Sequence, residues 1–301
     1  MKIGYPCINL SMDCRSSRTF RLKNYTESKL IATISGNLEC LQKILNYNYE
    51  HNFYFFRITS DLIPFASHPV MKFEWQEYFK KEFREIGSFI KQHAMRITMH
   101  PGQYTVLNSI NEGVFQNSIK DLEYHVEVLD LMDLDYTAKV QIHVGGVYGD
   151  REKSIQRFIS RYINLNDTIK KRLMIENDDK SYNLKDCLKI HERTQIPVVF
   201  DVYHHECLNS GESISQAFEM FIKTWSAEDG LPIIHYSSEH PLKGKPSHAE
   251  HIDIEHFKNF LKKTNDYNFD VMLEIKDKEK SALKAMNVLR NDSRFYRSPN
   301  A

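Results

Sequence analysis

Six short apolar runs in this chain each close on a residue type that binds metal ions. They are Arg96-Ile-Thr-Met-His100, Val140-Gln-Ile-His143, Leu173-Met-Ile-Glu176, Val198-Val-Phe-Asp201, Ile233-Ile-His235 and Val271-Met-Leu-Glu274. Successive closing residues lie 25 to 43 positions apart. A strand, a crossover helix and their loops need roughly 30 residues or more, so most intervals fit one βα unit. A parallel strand buried on both faces reads as a continuous apolar run. An ionisable residue closing such a run stands at the strand's carboxyl end, where barrel and open-sheet α/β enzymes keep their chemistry. Six such residues in order define a shared site.

Two further strand-like runs precede the six, Lys2-Ile-Gly-Tyr5 and Phe53-Tyr-Phe-Phe-Arg-Ile58, which makes eight. Amphipathic helical patterns lie between them, with apolar residues at three- and four-residue spacing. Leu30, Ile34, Leu38, Leu41 and Leu45 form one; Ile119, Leu122, Val126 and Leu129 form another. Eight strands alternating with eight helices predict a single (β/α)8 TIM barrel with its metal site at the C-terminal face. An open doubly wound sheet is the alternative, since sequence does not show closure. No linker divides the sequence, so one domain over 1–301 is expected. Lys+Arg equals Asp+Glu at 40 each, which gives no global signal for nucleic acid or membrane, although divalent ions would add charge where their ligands converge. The opening Met1-Lys-Ile-Gly-Tyr-Pro forms no signal-peptide core, and no run reaches the roughly 18 apolar residues of a membrane span. Five cysteines without a paired spacing read as reduced thiols, so a cytoplasmic protein is expected.

Imidazole and carboxylate ligands on separate strand ends suit Zn²⁺, Mn²⁺ or Fe²⁺ better than Mg²⁺. His100, His143, Glu176, Asp201, His235 and Glu274 would line one mouth. The segment Asp201-Val-Tyr-His204-His205 adds two imidazoles, and Pro246-Ser-His248-Ala-Glu-His251 adds another pair. That exceeds one ion's coordination, so a carboxylate such as Glu176 would bridge two ions, and two-metal clusters of this kind clamp both oxygens of a phosphodiester. His51, His93, His125, His191 and His256 fall on helical or connecting segments and read as solvated. His68, after the second strand, lies on the predicted catalytic face. Arg15, Arg18, Arg21 and Lys23 after the first strand, with Lys243 and Lys245 before His248, are candidate phosphate contacts.

Taken together, Gly4-Tyr5-Pro6 with Asn9, Arg57-Ile-Thr-Ser60 with Pro64, and His100-Pro-Gly-Gln-Tyr104 resemble the UV damage endonuclease family. So do Ile142-His-Val-Gly-Gly146, Ile175-Glu-Asn177, Phe200-Asp-Val-Tyr-His-His205, His235-Tyr-Ser-Ser238, His248-Ala-Glu and Met272-Leu-Glu-Ile-Lys-Asp-Lys278. The resemblance runs from about residue 2 to about 285 and implies a TIM-barrel nuclease that nicks DNA immediately 5′ of UV photoproducts. It implies about three divalent ions, manganese foremost with zinc as the alternative, clamping the phosphate. By this resemblance His100, His143, Glu176, Asp201, His204, His235, His248 and Glu274 are metal ligands, with Glu176 bridging, and His68 stands at the scissile phosphate. Glu176, His68, His235 and Glu274 are the expected catalytic set. Gln103 and Tyr104 match a pair that enters the duplex where a damaged dinucleotide has left it; Tyr5 and Asn9 match residues of the pocket receiving that dinucleotide. Photoproducts pair and stack poorly, so extrusion costs less at a lesion.

One position departs from the family pattern, which commonly has a lysine two residues before the seventh-strand histidine, carboxylated in some members. Here it is Ile233, so no modified lysine is expected there. Two rivals share the architecture: an apurinic-type metal-dependent DNA phosphodiesterase, and a metal-dependent sugar isomerase. The first would not need Tyr5, Asn9, Gln103 and Tyr104; the second relies on carboxylate-rich sites and a catalytic lysine. The expected partner is UV-damaged double-stranded DNA, without a membrane, bound by a monomer.

Overall fold

Every one of the eight apolar runs is a strand, and the strands close on themselves. In this computed structural model, which describes residues 1–297, they are β1 (Ile3–Pro6), β2 (Phe55–Ile58), β3 (Arg96–Met99), β4 (Lys139–His143), β5 (Leu173–Glu176), β6 (Val198–Asp201), β7 (Ile233–Tyr236) and β8 (Asp270–Leu273). All neighbours run parallel in sequence order, and β1 shuts the ring on β8 through Ile3↔Val271 and Gly4↔Met272. The architecture is the TIM barrel that the alternation predicts. His100 and Glu274 stand one residue past their strands rather than on them.

The helices among the described residues are α1 (Glu27–Glu50), α2 (Trp75–Tyr78), α3 (Lys80–Gln92), α4 (Glu112–Leu131), α5 (Arg151–Ile163), α6 (Asp167–Arg172), α7 (Leu184–Thr194), α8 (Val202–Cys207), α9 (Ile214–Phe221), α10 (Ile254–Lys263) and α11 (Glu279–Leu289). Side chains begin several of them. Thr26 accepts from the Lys29 amide, Asn111 from Val114, and Asn183 with Asp186 forms a reciprocal capping box, each satisfying amides that a helix start leaves free. None is long and apolar enough to cross a membrane, among the described residues.

Two apolar layers result. Between strands and helices lies the main core, where Ile3, Tyr5, Leu41, Phe56 and Ile175 are buried. Inside the barrel a small plug of Phe55, Met174, Val199, Ile233 and Met272 fills the middle. β1 adds no bulk there: a Cβ on Gly4 would stand 1.6 Å from the Phe55 carbonyl oxygen, so only glycine lets the two strands meet.

Below the plug, the strands' amino ends carry a charged floor. Arg96 bonds Asp270 at 3.2 Å and the Asp229 carbonyl at 2.8 Å. The Lys139 ammonium bonds the Lys171 carbonyl at 2.7 Å and pairs with Asp229. Trp225 donates its indole N–H to the Val198 carbonyl at 2.7 Å and lies 5.7 Å from the Arg96 guanidinium. Buried charges persist when paired in this way.

Two expectations need correction here. The thiols are not all reduced, since Cys14 and Cys40 form a disulfide. The loop after β1 folds back over α1 and brings together cysteines 26 residues apart, a spacing with no local signature; Cys7, Cys187 and Cys207 are free. Nor is His125 solvated: α4 turns it fully into the core.

Candidate metal centre and nucleic-acid interface

Alternation along each strand decides what faces the barrel axis. In β5, Leu173 and Ile175 join the outer core and Met174 joins the plug. Glu176 therefore stands above the plug, as do Asp201 above Val199, His235 above Ile233 and Glu274 above Met272. On these four chain segments the polar ring at the carboxyl end is thus the next inward position after the plug.

Glu176 is its centre, 1% exposed. Its Oε1 lies 2.7 Å from His235 Nδ1 and 3.7 Å from His204 Nδ1, and its Oε2 lies 3.6 Å from His143 Nε2. Gln141 donates to Oε2 at 2.8 Å. Two groups have ligand atoms mutually within 4.8 Å: His100, His143 and Glu176, and Glu176, Asp201 and His235. Glu176 is common to both. His204 joins from the first turn of α8, whose N-cap is Asp201, and its Nδ1 lies 2.9 Å from the Asn177 carbonyl. Asn177 and Asp201 exchange two further bonds, Nδ2 to the Asp201 carbonyl at 3.0 Å and the Asp201 amide to Oδ1 at 2.9 Å. His248 completes the rim, its ring 5.9 Å from that of His204.

Arg57 is a member that sequence reading left without a role. It is 5% exposed, with Nη2 2.7 Å from Glu274 Oε1 and 2.9 Å from His235 Nε2. Its signal was a cation inside the apolar run of β2.

The charges respond to this crowding. Burial works against an ionised Glu176, but His235, His143 and His204 outweigh it and hold the carboxyl well below its usual range. At Glu274 burial is likewise outweighed, first by Arg57 and then by His235. Burial pushes Asp201 up to about 6, with His204 opposing and Glu176 reinforcing. Burial, then Arg57, brings His100 down to about 3. At His204 burial favours the neutral ring, yet Asp201, Glu176 and Glu274 prevail and raise it to about 9.

A cation fits this donor set. Among the described residues Asp201 Oδ2, His143 Nδ1 and His248 Nδ1 are buried atoms without a hydrogen-bond partner, and such atoms call for an unseen water or ion. Nitrogen and carboxylate oxygen converging on one shared carboxylate is a transition-metal donor set. His100, His143, Glu176, Asp201, His204, His235, His248 and Glu274 are therefore brought to one mouth, with Glu274 on its Arg57 side.

Other expected residues fare differently. His205 turns away from the mouth, its Nε2 3.1 Å from the Glu212 carbonyl and its ring against Phe200; consecutive helical positions cannot share a face. His251 pairs with Asp277 at the surface. Tyr5 and Asn9 do not line an open pocket. Tyr5 lies at an outward position of β1, its ring against Phe53 and Phe56 and its hydroxyl 2.5 Å from Asn48 Oδ1 and 2.8 Å from Asn9 Nδ2. Both residues are at most 1% exposed, behind the mouth rather than in it. His68 is exposed in the loop after β2, and the Val70 amide donates to its Nδ1 at 3.0 Å. Gln103 and Tyr104 are exposed at the tip of the loop after β3; at 81% Tyr104 leaves nearly all its ring unused by the protein. Arg15 is partly occupied by the Asn9 carbonyl and Lys245 by the Glu206 carbonyl, while Arg18, Arg21, Lys23 and Lys243 keep exposed side chains.

A (β/α)8 barrel with a histidine–carboxylate cluster at its C-terminal mouth is a known enzyme architecture, and relatives specify which. The family model described as UV-endonuclease UvdE matches residues 1–297. A UV DNA damage endonuclease of Clostridium perfringens is 41% identical over 300 residues, covering 99% of this chain and 73% of its own length. The crystal structure of SacUVDE superposes with a TM-score of 0.92 at 44% identity, covering 96% of this chain and 98% of that one. Endonuclease IV from Thermus thermophilus shares the fold alone, with a TM-score of 0.59 at 14% identity over 84% of this chain and 93% of that one. The chain belongs to the UV damage endonuclease family. It is a nuclease of that family, whose curated relatives are named for DNA.

Proposed function

We propose that this protein nicks duplex DNA immediately 5′ of UV photoproducts, both cyclobutane pyrimidine dimers and 6-4 photoproducts, acting as a single-domain monomer. The observation that carries the reading is the shared carboxylate, Glu176, standing between two ligand groups at the barrel mouth. Eight residues would hold divalent cations: His100, His143, Glu176, Asp201, His204, His235, His248 and Glu274. About three ions, manganese foremost, would supply Lewis-acid stabilisation of the phosphodiester oxygens and an activated water.

The chain's own residues prepare the rest. Arg57 keeps Glu274 ionised and leans on His235, so both ligands are oriented before substrate arrives. Because the Val70 amide occupies Nδ1 of His68, the proton of that ring sits on Nε2, ready to donate to a phosphate oxygen. Gln103 and Tyr104 are sized to fill the gap left by a flipped dinucleotide, by hydrogen bonding and stacking. Arg18, Lys23 and Lys243 offer exposed cations to the backbone.

The test is a nicking assay on matched duplexes carrying a dimer, a 6-4 photoproduct, an abasic site or no damage, with metal added back after chelation. Incision 5′ of both photoproducts, lost on chelation, is expected. Preference for the abasic duplex would move the assignment to an apurinic phosphodiesterase.

A further inference from the structure

His68 and the pair Gln103 and Tyr104 stand on two separate loops, 59–74 after β2 and 100–111 after β3, and both loops rest on one face of α4. Ser118, Asp121 and Tyr124 recur at three-residue spacing on that face. Ser118 Oγ accepts from the Val106 amide at 2.8 Å. The Tyr124 hydroxyl donates to the Ser60 carbonyl at 3.0 Å and accepts from the Ile63 amide at 3.1 Å. Between them Asp121 takes one loop on each oxygen: Ser67 Oγ donates to Oδ1 at 3.3 Å and Thr105 Oγ1 to Oδ2 at 2.5 Å. Ser67 immediately precedes His68, and Thr105 immediately follows Tyr104.

We propose that Asp121 is a positioning residue that ties the loop of the phosphate-facing His68 to the loop of the duplex-probing Gln103 and Tyr104. The proposal rests on the functional reading above and adds to it the coupling between damage sensing and chemistry. The Asp121 side chain is 25% exposed, so its two bonds are not dissolved in bulk water. Hydrogen bonds to a charged group are stronger than those between neutral partners, which suits this pair to holding two loops in register. His125, one turn on, donates Nδ1–H to the Asp121 carbonyl at 2.6 Å and keeps Nδ1 3.9 Å from Oδ1, so the carboxylate is backed by a buried ring. Each loop can then sample its own conformations only at the cost of an unpaired carboxylate oxygen. A lesion that lets Gln103 and Tyr104 seat would, through Asp121, fix His68 over the phosphate.

The two arms can be cut separately. Ser67→Ala should lower kcat on dimer duplex about tenfold and leave lesion affinity within about twofold, since a tenfold change is 1.4 kcal/mol. Thr105→Ala should weaken lesion binding by the same factor and, because the tie to His68 is cut, lower kcat at saturation as Ser67→Ala does. Asp121→Ala should do both. Amide hydrogen exchange gives a readout independent of activity: each single-arm variant should speed exchange in its own loop, and Asp121→Ala in both. Should Asp121→Ala fail to fold, the two single-arm variants carry the test. An unchanged kcat in Thr105→Ala at saturating lesion, or exchange unaltered in all three, would overturn the tie. If the wild type ignores dimer-containing DNA the functional reading falls, and the exchange pattern alone then decides whether the loops are joined.

Discussion

Glu176 has two oxygens and three imidazoles within 3.7 Å, and its charge holds the cluster together. Glu176→Gln keeps the shape and removes that charge, so incision should fall by about a thousandfold or more while the far-UV circular dichroism stays that of the folded barrel. Near-wild-type nicking by metal-replete Glu176→Gln would overturn the assignment. A second residue predicts a pH effect. Burial pulls His125 below its ordinary value of 6.5, with Asp121 and then Asp61 opposing. The unfolded chain gains a proton below that value and the native state only at lower pH, so stability should drop as the pH falls through that window, by up to about 1.4 kcal/mol per unit. Urea unfolding at pH 7 and 5 should show a smaller loss for His125→Leu than for wild type; equal losses would refute the claim. Single residues were legible in sequence where a charge ended an apolar run, as at Glu176 and Asp201. Tyr5 and His125 were not, because a run apolar on both faces does not reveal which parity faces the axis, and a lone helical histidine carries no sign of its burial.

At the scale of elements, the strands could be read almost to the residue, because buried parallel strands leave continuous apolar runs. The short α8 could not, since six residues give too little periodicity to see, and it is what separates His204 from His205. The loop after β3 makes its own prediction. Gln103→Ala with Tyr104→Ala should weaken lesion binding by a few kcal/mol, the scale of unstacking a base step, with metal content unchanged by elemental analysis. Wild-type binding by the double variant would make the pair merely structural. On β7, Ile233 is fully buried in the barrel plug, an aliphatic side chain that cannot form a carbamate. Activity should not respond to bicarbonate, and native mass spectrometry should show no added carbon dioxide; a carbamate on Lys243 or Lys245 would refute this. Ile233→Ala should destabilise by about 2–5 kcal/mol through the cavity it opens.

Across the whole molecule, the Cys14–Cys40 bond fastens the basic loop after β1 to α1. Closing a loop of that length stabilises by about 3–4 kcal/mol on chain-entropy grounds, so Cys40→Ser or a reductant should lower the melting temperature. An unchanged transition would mean that the bond adds nothing to the fold. The floor of the barrel has a different sort of consequence. Arg96, Lys139, Asp229 and Asp270 are joined there, roofed by Phe55, Met174, Val199, Ile233 and Met272. The reaction chamber is therefore a blind well. On the function proposed above, water, cations and the DNA strand would share one doorway, so a nicked product would retreat along the path by which the intact strand came in. Whatever gripped the lesion at the lip would then also stand in the way of departure, and release at the rim would cap the turnover.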